Sequence, residues 1–196
     1  MNEGLRSILA SLESRTELSK LSPQQIWNTT LEAEIVTWAR QTEETEGTDP
    51  TRIALMAGLH LCNDSLNRSH SYAQHIEGEM TGDYWHAIMH RMEQDYANSK
   101  YWFSCAGHHP VKQTVAGHIA ELMNHLPELD AYTLSPILRS LQQYRDLRNW
   151  TCDNFVDIIQ LQESGQGTAE SRHLLEQLQQ IEISTLLDYT LTKYSQ

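Results

Sequence analysis

The sequence predicts an all-α protein, a single-domain bundle of about seven helices with two central polar-seamed helices. Three observations predict it. Apolar residues recur three and four positions apart along almost the whole chain. No stretch alternates apolar and polar residues in the manner of a strand. Prolines, glycines and capping residues punctuate the chain at helix-length intervals. No internal repeat or low-complexity tract stands out.

Leu5, Ile8, Leu9 and Leu12 form a short amphipathic stripe. Ser22-Pro23 reads as an N-cap with proline at the first helical position, followed by Trp27, Leu31, Ile35 and Trp38 on one face. Gly47-Thr-Asp-Pro50 is a break. A long helix is expected from about Thr51 to Glu77, with Leu55, Leu59, Cys62, Leu66, Ala73 and Ile76 on its apolar side. Gly78 and Gly82 bracket a turn. The next helix runs from about Asp83 to Cys105 and stops at Gly107-His-His-Pro110. A shorter helix follows near Thr114–Asn124. Ser135-Pro136 opens one reaching about Glu163. Thr168 then N-caps the last, which carries Leu174, Leu175, Leu178, Ile181, Leu186 and Leu187. Residues 1–50 thus read as an N-terminal helical extension packing on a core domain of residues 51–196.

The 196 residues suffice for a core without disulfides. A net charge of −12 disfavours a broad nucleic-acid surface and docking on anionic membranes. Cys62, Cys105 and Cys152 form no C-x-x-C and read as buried thiols of a reducing compartment. No secretory signal and no run near the ~20 apolar residues of a membrane span is visible. The expectation is a cytoplasmic protein.

Nine of the ten histidines lie between His60 and His125. On a helical wheel His86, His90 and Glu93 fall within about 60° of one another. Two imidazoles at i and i+4 can chelate one metal ion, and a nearby carboxylate can serve as ligand or base. The pattern lacks the glutamate that follows the first histidine in metalloprotease helices. Hydrogen-bonded interior histidines, or a metal-free catalytic histidine, explain the same spacing. The preceding helix carries Asn63, Asn67, His70, Gln74 and Glu77 as a polar stripe that can face the first. His60 shares a face with Asp64 and reads as a surface or partner-facing group. The neighbouring aromatics, Tyr84, Trp85, Tyr96, Tyr101 and Trp102, are mostly core by default, with one or two able to wall a pocket.

The run Asn63-Asp64…Ser69-His70…Gln74…Glu77, then Gly82-Asp-Tyr-Trp-His-Ala-Ile-Met-His-Arg91…Glu93…Asp95-Tyr…Asn98…Lys100-Tyr-Trp-Phe103, then Gly107…His109-Pro110, resembles a family of uncharacterised helical proteins of bacteria and fungi. The likeness runs from roughly Leu55 to Tyr189. The family has no established activity, so the resemblance implies none. It does sort the candidates. Asp64, His70, Glu77, His86, His90, Glu93, Asp95, Asn98, Lys100 and His109 match its pattern; His60, His75, His108, His118 and His125 do not. Ser104-Cys105 stands where family members carry arginines, so an anion-binding role resting on those arginines does not carry over.

The expected metal ligands are therefore His70, His86 and His90, with one divalent ion (zinc, iron, manganese or nickel) as the only cofactor. Glu93, Glu77 and His109 are the expected catalytic groups. Asp64, Asp95, Asn98, Lys100 and Tyr101 are the expected ligand-binding groups. Three functions stay open: a metal-dependent hydrolase or lyase acting on a small molecule; a metal-free protein binding or cleaving a sugar or ring-bearing ligand; and a scaffold in which the polar seam is internal glue. A second copy of the chain is a candidate partner through the Leu5–Leu12 stripe.

Overall fold

The computed structural model describes residues 2–130 and 135–196, and these contain ten α-helices rather than seven. Helix α1 (Glu3–Glu13) starts under Asn2, whose side chain accepts Leu5 N. Residues 14–28 then cross the molecule without helix, and α2 (Thr29–Glu46) follows. The start expected at Ser22-Pro23 is not used. Trp27 N donates instead to Asn63 O, and extended Asn28 caps α2 by accepting Thr30 N and Leu31 N.

Both long central helices are broken. The first consists of α3 (Pro50–Cys62) and α4 (Leu66–Ala73), the second of α5 (Met80–Met92) and α6 (Tyr96–Cys105). The same device makes both breaks. Asp64 and Gln94 take left-handed backbone, with φ of 58° and 66°. Around them the chain closes a Schellman motif: Ser65 N and Asp95 N donate to His60 O and His90 O, each at 2.9 Å. Ser65 and Asp95 then head the next helix. Every equivalent pair is thirty residues apart, so α3–α4 and α5–α6 form an internal repeat that the sequence reading missed. A left-handed Asp or Gln costs about 1 kcal/mol, and each is gripped by the 14–28 segment. Arg15 pairs with Asp64 at 2.7 Å, and Ser19 also donates to it. Gln94 donates to Ser22 Oγ at 3.0 Å.

Helix α7 (Val111–Asn124) starts directly after Pro110. The expected helix from Pro136 to Glu163 is split into α8 (Pro136–Gln142) and α9 (Cys152–Leu161). Asp146 and Trp150 are extended between them, and Thr151 caps the restart. Helix α10 (Ala169–Tyr194) begins under Thr168, as the sequence indicated, in a reciprocal pair of hydrogen bonds with Ser171.

Every residue of α5 from Thr81 to Met92 is buried, which makes it the central helix. A Cβ on Gly58 would sit 2.7 Å from Trp85 Cζ2, so glycine lets α3 approach α5 closely. The larger apolar cluster gathers Tyr84, Trp85, Phe103 and Phe155. A second joins α1, α2 and α3 through Leu5, Ile8, Ile35, Trp38 and Leu59. Of the Leu5–Leu12 stripe, Leu5 and Ile8 are buried in this cluster, while Leu9 and Leu12 are half-buried against it. Arg91 and Glu182, both wholly buried, pair at 2.6 Å, and Tyr84 donates to the same carboxylate at 3.0 Å. Among the described residues no helix is long and apolar enough to cross a membrane.

Candidate metal centre

The short linkers fold α4 onto α5, and this brings His70 to the face that carries His86 and His90. One nitrogen from each of the three rings lies within 4.8 Å of the others. His86 stacks on the indole of Trp102 at 4.1 Å and on His90 at 4.7 Å. His70, half-buried, meets both rings edge-on and forms the rim.

His86 is 2% exposed, and neither of its ring nitrogens has a hydrogen-bond partner among the described residues. Burial, with smaller contributions from His90 and His70, depresses its pKa to about 3. Burial and His70 lower that of His90 as well, against an opposing pull from Asp95. Both rings are therefore neutral at pH 7, the form that binds metal.

The three rings could hold a divalent ion. A tetrahedral zinc site with bonds of ~2.0–2.1 Å needs nitrogens roughly 3.4 Å apart, so the rings must turn inward, and His70 at the rim has most room to do so. Two carboxylates stand behind His90: Glu93 Oε2 at 3.9 Å and Asp95 Oδ2 at 4.0 Å from Nδ1. Neither is within hydrogen-bond distance, so His90 Nδ1 is unpartnered among the described residues. Asp95 is tethered, accepting Asn98 N at 3.2 Å and Asn98 Nδ2 at 2.7 Å. Glu93 is exposed and makes no such bond. It also lines a cleft of about 800 Å³ with Asn67, Arg68 and Gln94.

The other expected site residues go elsewhere. Asp64 is committed to Arg15 and Ser19. Lys100 pairs with Asp157, and Asn98 serves the α6 cap. Tyr101 is exposed, edge-on to Trp102. Glu77 is exposed and borders a different pocket. His109 is buried between Tyr84 and Tyr189, its pKa lowered by burial to about 4. Cys105, expected to be buried, is exposed.

His60 also corrects the reading. It is 0% exposed, not a surface group. Its Nδ1 lies 3.1 Å from Glu32 Oε1, and its ring stacks on Tyr72. Glu32 further accepts from Arg68, Ser65 and Asn63. Burial raises the Glu32 pKa, but His60, Ser65 and Asn63 outweigh it and the net shift is downward.

No protein-family model, curated protein or solved structure matches this chain.

Proposed function

We propose that His70, His86 and His90 form a divalent-metal centre at which the protein acts on a small molecule, by hydrolysis or a lyase reaction. One observation carries the reading: His86 is a buried, neutral imidazole with both nitrogens unpaired. Each such orphan costs about 1–3 kcal/mol, and a metal–nitrogen bond would relieve it at one of the two nitrogens. Internal glue would pair its polar groups, so the orphan weighs against a scaffold role.

Imidazole donors suit zinc, iron or nickel, and manganese would draw more on the neighbouring carboxylates. Held by the three imidazoles, such an ion would act as a Lewis acid and make water nucleophilic near neutral pH. Glu93, untethered and beside His90, is the group to accept a proton at its carboxylate. Asp95, fixed by Asn98, stands 4.0 Å from His90 Nδ1 and would orient that ring if it turned to close the gap. Trp102 shields His86 from water on one ring face. The substrate approaches along the cleft bordered by Glu93, where Asn67, Gln94 and Arg68 favour a polar molecule.

Elemental analysis of untagged protein beside a His86→Ala, His90→Ala double variant tests this. About one zinc, iron, manganese or nickel per chain in the native protein, and none in a folded variant, is expected. A folded native protein without metal, and with no uptake on zinc addition, overturns it. Glu93→Gln should retain the ion while slowing hydrolysis of p-nitrophenyl acetate about 10²-fold. The amide-rich cleft favours a second reading, metal-free binding of a polar small molecule, which metal-free native protein would leave standing.

A further inference from the structure

A second pocket, of about 630 Å³, opens between the end of α2, the start of α3, and α4. None of the three clustered histidines lines it. We propose that it binds a small organic carboxylate with an apolar body, the carboxylate seated on Arg52.

Arg52 is 4% exposed. Its Nε donates to Gly47 O at 3.0 Å, and its Nη1 donates to Ala39 O at 3.3 Å and Thr42 Oγ1 at 3.4 Å. All three acceptors are neutral. No carboxylate pairs with it among the described residues, whereas Arg91 has Glu182 and Arg15 has Asp64. The carboxyl end of α2 offsets roughly half a charge. Glu43, Glu77 and Glu79 line the same pocket, but among the described residues none reaches ion-pair distance, and a buried cation favours an anion in direct contact. Both Nη2 hydrogens remain for a ligand, and a planar guanidinium suits a planar carboxylate.

The walls decide the rest of the ligand. Pro50, Ile53 and Ile76 are apolar, and Tyr72 adds a ring. Arg68 also borders the pocket but is already paired with Glu32 at 2.9 Å. Glu43, Glu77 and Glu79 stand around it and repel a dianion more than a monoanion. A carboxylate therefore fits better than a phosphate monoester.

The test is calorimetric titration of metal-stripped protein with benzoate, phenylpropionate and hexanoate, beside benzamide and phenyl phosphate. At least one carboxylate should bind one-to-one, at least about tenfold tighter than benzamide or phenyl phosphate. Arg52→Gln should weaken it at least about tenfold. Since Arg52 also ties down the end of α2, Ser71→Trp provides the independent block. Ser71 is exposed on α4, lines the pocket, and its hydroxyl bonds only Asn67 O. His86→Ala should leave carboxylate binding intact, so failure here is separable from failure of the metal centre. No binding by any carboxylate at millimolar concentration overturns the proposal. So does benzamide or phenyl phosphate binding as well, affinity unchanged in folded Ser71→Trp, or affinity lost in His86→Ala.

Discussion

The helix pairs α3–α4 and α5–α6 share a linker, a register and a histidine at the same position, yet the two histidines live differently. His60 is sealed, 3.1 Å from Glu32, whose carboxylate also ties Arg68, Ser65 and Asn63 together. His90 has its nearest carboxylates at 3.9 and 4.0 Å and shares its face with two more imidazoles. What separates them is α2, which delivers a carboxylate to the first pair and nothing to the second. The lesson is that a histidine's register does not decide its role. The decision lies in whether a distant element brings it a counter-charge.

The sharpest way to break this comparison is to remove each histidine. His60→Ala takes one of four partners from Glu32 and leaves a cavity beside Tyr72, and should destabilise the protein by about 3 kcal/mol. Urea unfolding reads it, and metal content should be unchanged. His86→Leu removes an orphan rather than a partner. In metal-free protein it should be neutral or stabilising by about 1 kcal/mol, while abolishing metal binding. A loss as large as that of His60→Ala would make the three-His cluster a structural network like its counterpart.

Next in size are the linkers. Asp64→Gly relieves left-handed strain but strips Arg15 of its buried partner, so a net loss of about 2 kcal/mol is expected. Gln94→Gly gains the same relief and loses only exposed hydrogen bonds to Ser22 and Glu163, so it should fall within about 0.5 kcal/mol of neutral. Equal effects would show that the segment 14–28 grips both linkers alike.

A further contrast is in pH. His86 has a folded pKa near 3, against 6.5 when free. The unfolded chain binds the extra proton between these values, so His86 supports the fold fully above pH 6.5 and progressively less as pH falls toward 3. The Glu32 carboxylate is shifted downward, so its contribution persists until pH drops below the free value of 4.5. Mild acid, near pH 5, should therefore loosen protection of amides on α5 before those near His60. Simultaneous loss in hydrogen exchange would contradict this.

Much of the helix content was legible because caps and prolines speak locally: Thr168, Ser135-Pro136 and the Gly47–Pro50 break all act where they stand. The central breaks were not, because their left-handed residues are Asp64 and Gln94 rather than glycine, and the apolar period runs on through Cys62 and Leu66. The repeat hides for a similar reason. Ala57, His60 and Ser69 find identity in Ala87, His90 and Ser99, while most other equivalent positions differ. At the site, His86 and His90 could be paired from spacing, and His70 was expected with them because its polar stripe could face theirs. Glu32 and Arg52 went unnoticed because their meaning comes from partners on other helices, which no local pattern records.

Helix α4 has eight residues and no side-chain cap. It nevertheless brings the third imidazole to a pair already mounted on the rigid α5. An ion shared by His70 and His86 would act as a removable cross-link around the intervening loop, comparable in chain-entropy terms to a disulfide closing about 15 residues, roughly 3 kcal/mol. The off-rate of such an ion would follow the fraying of one short helix rather than any rearrangement of the core. Metal exchange and opening of the Leu66–Ala73 segment would then share a single clock.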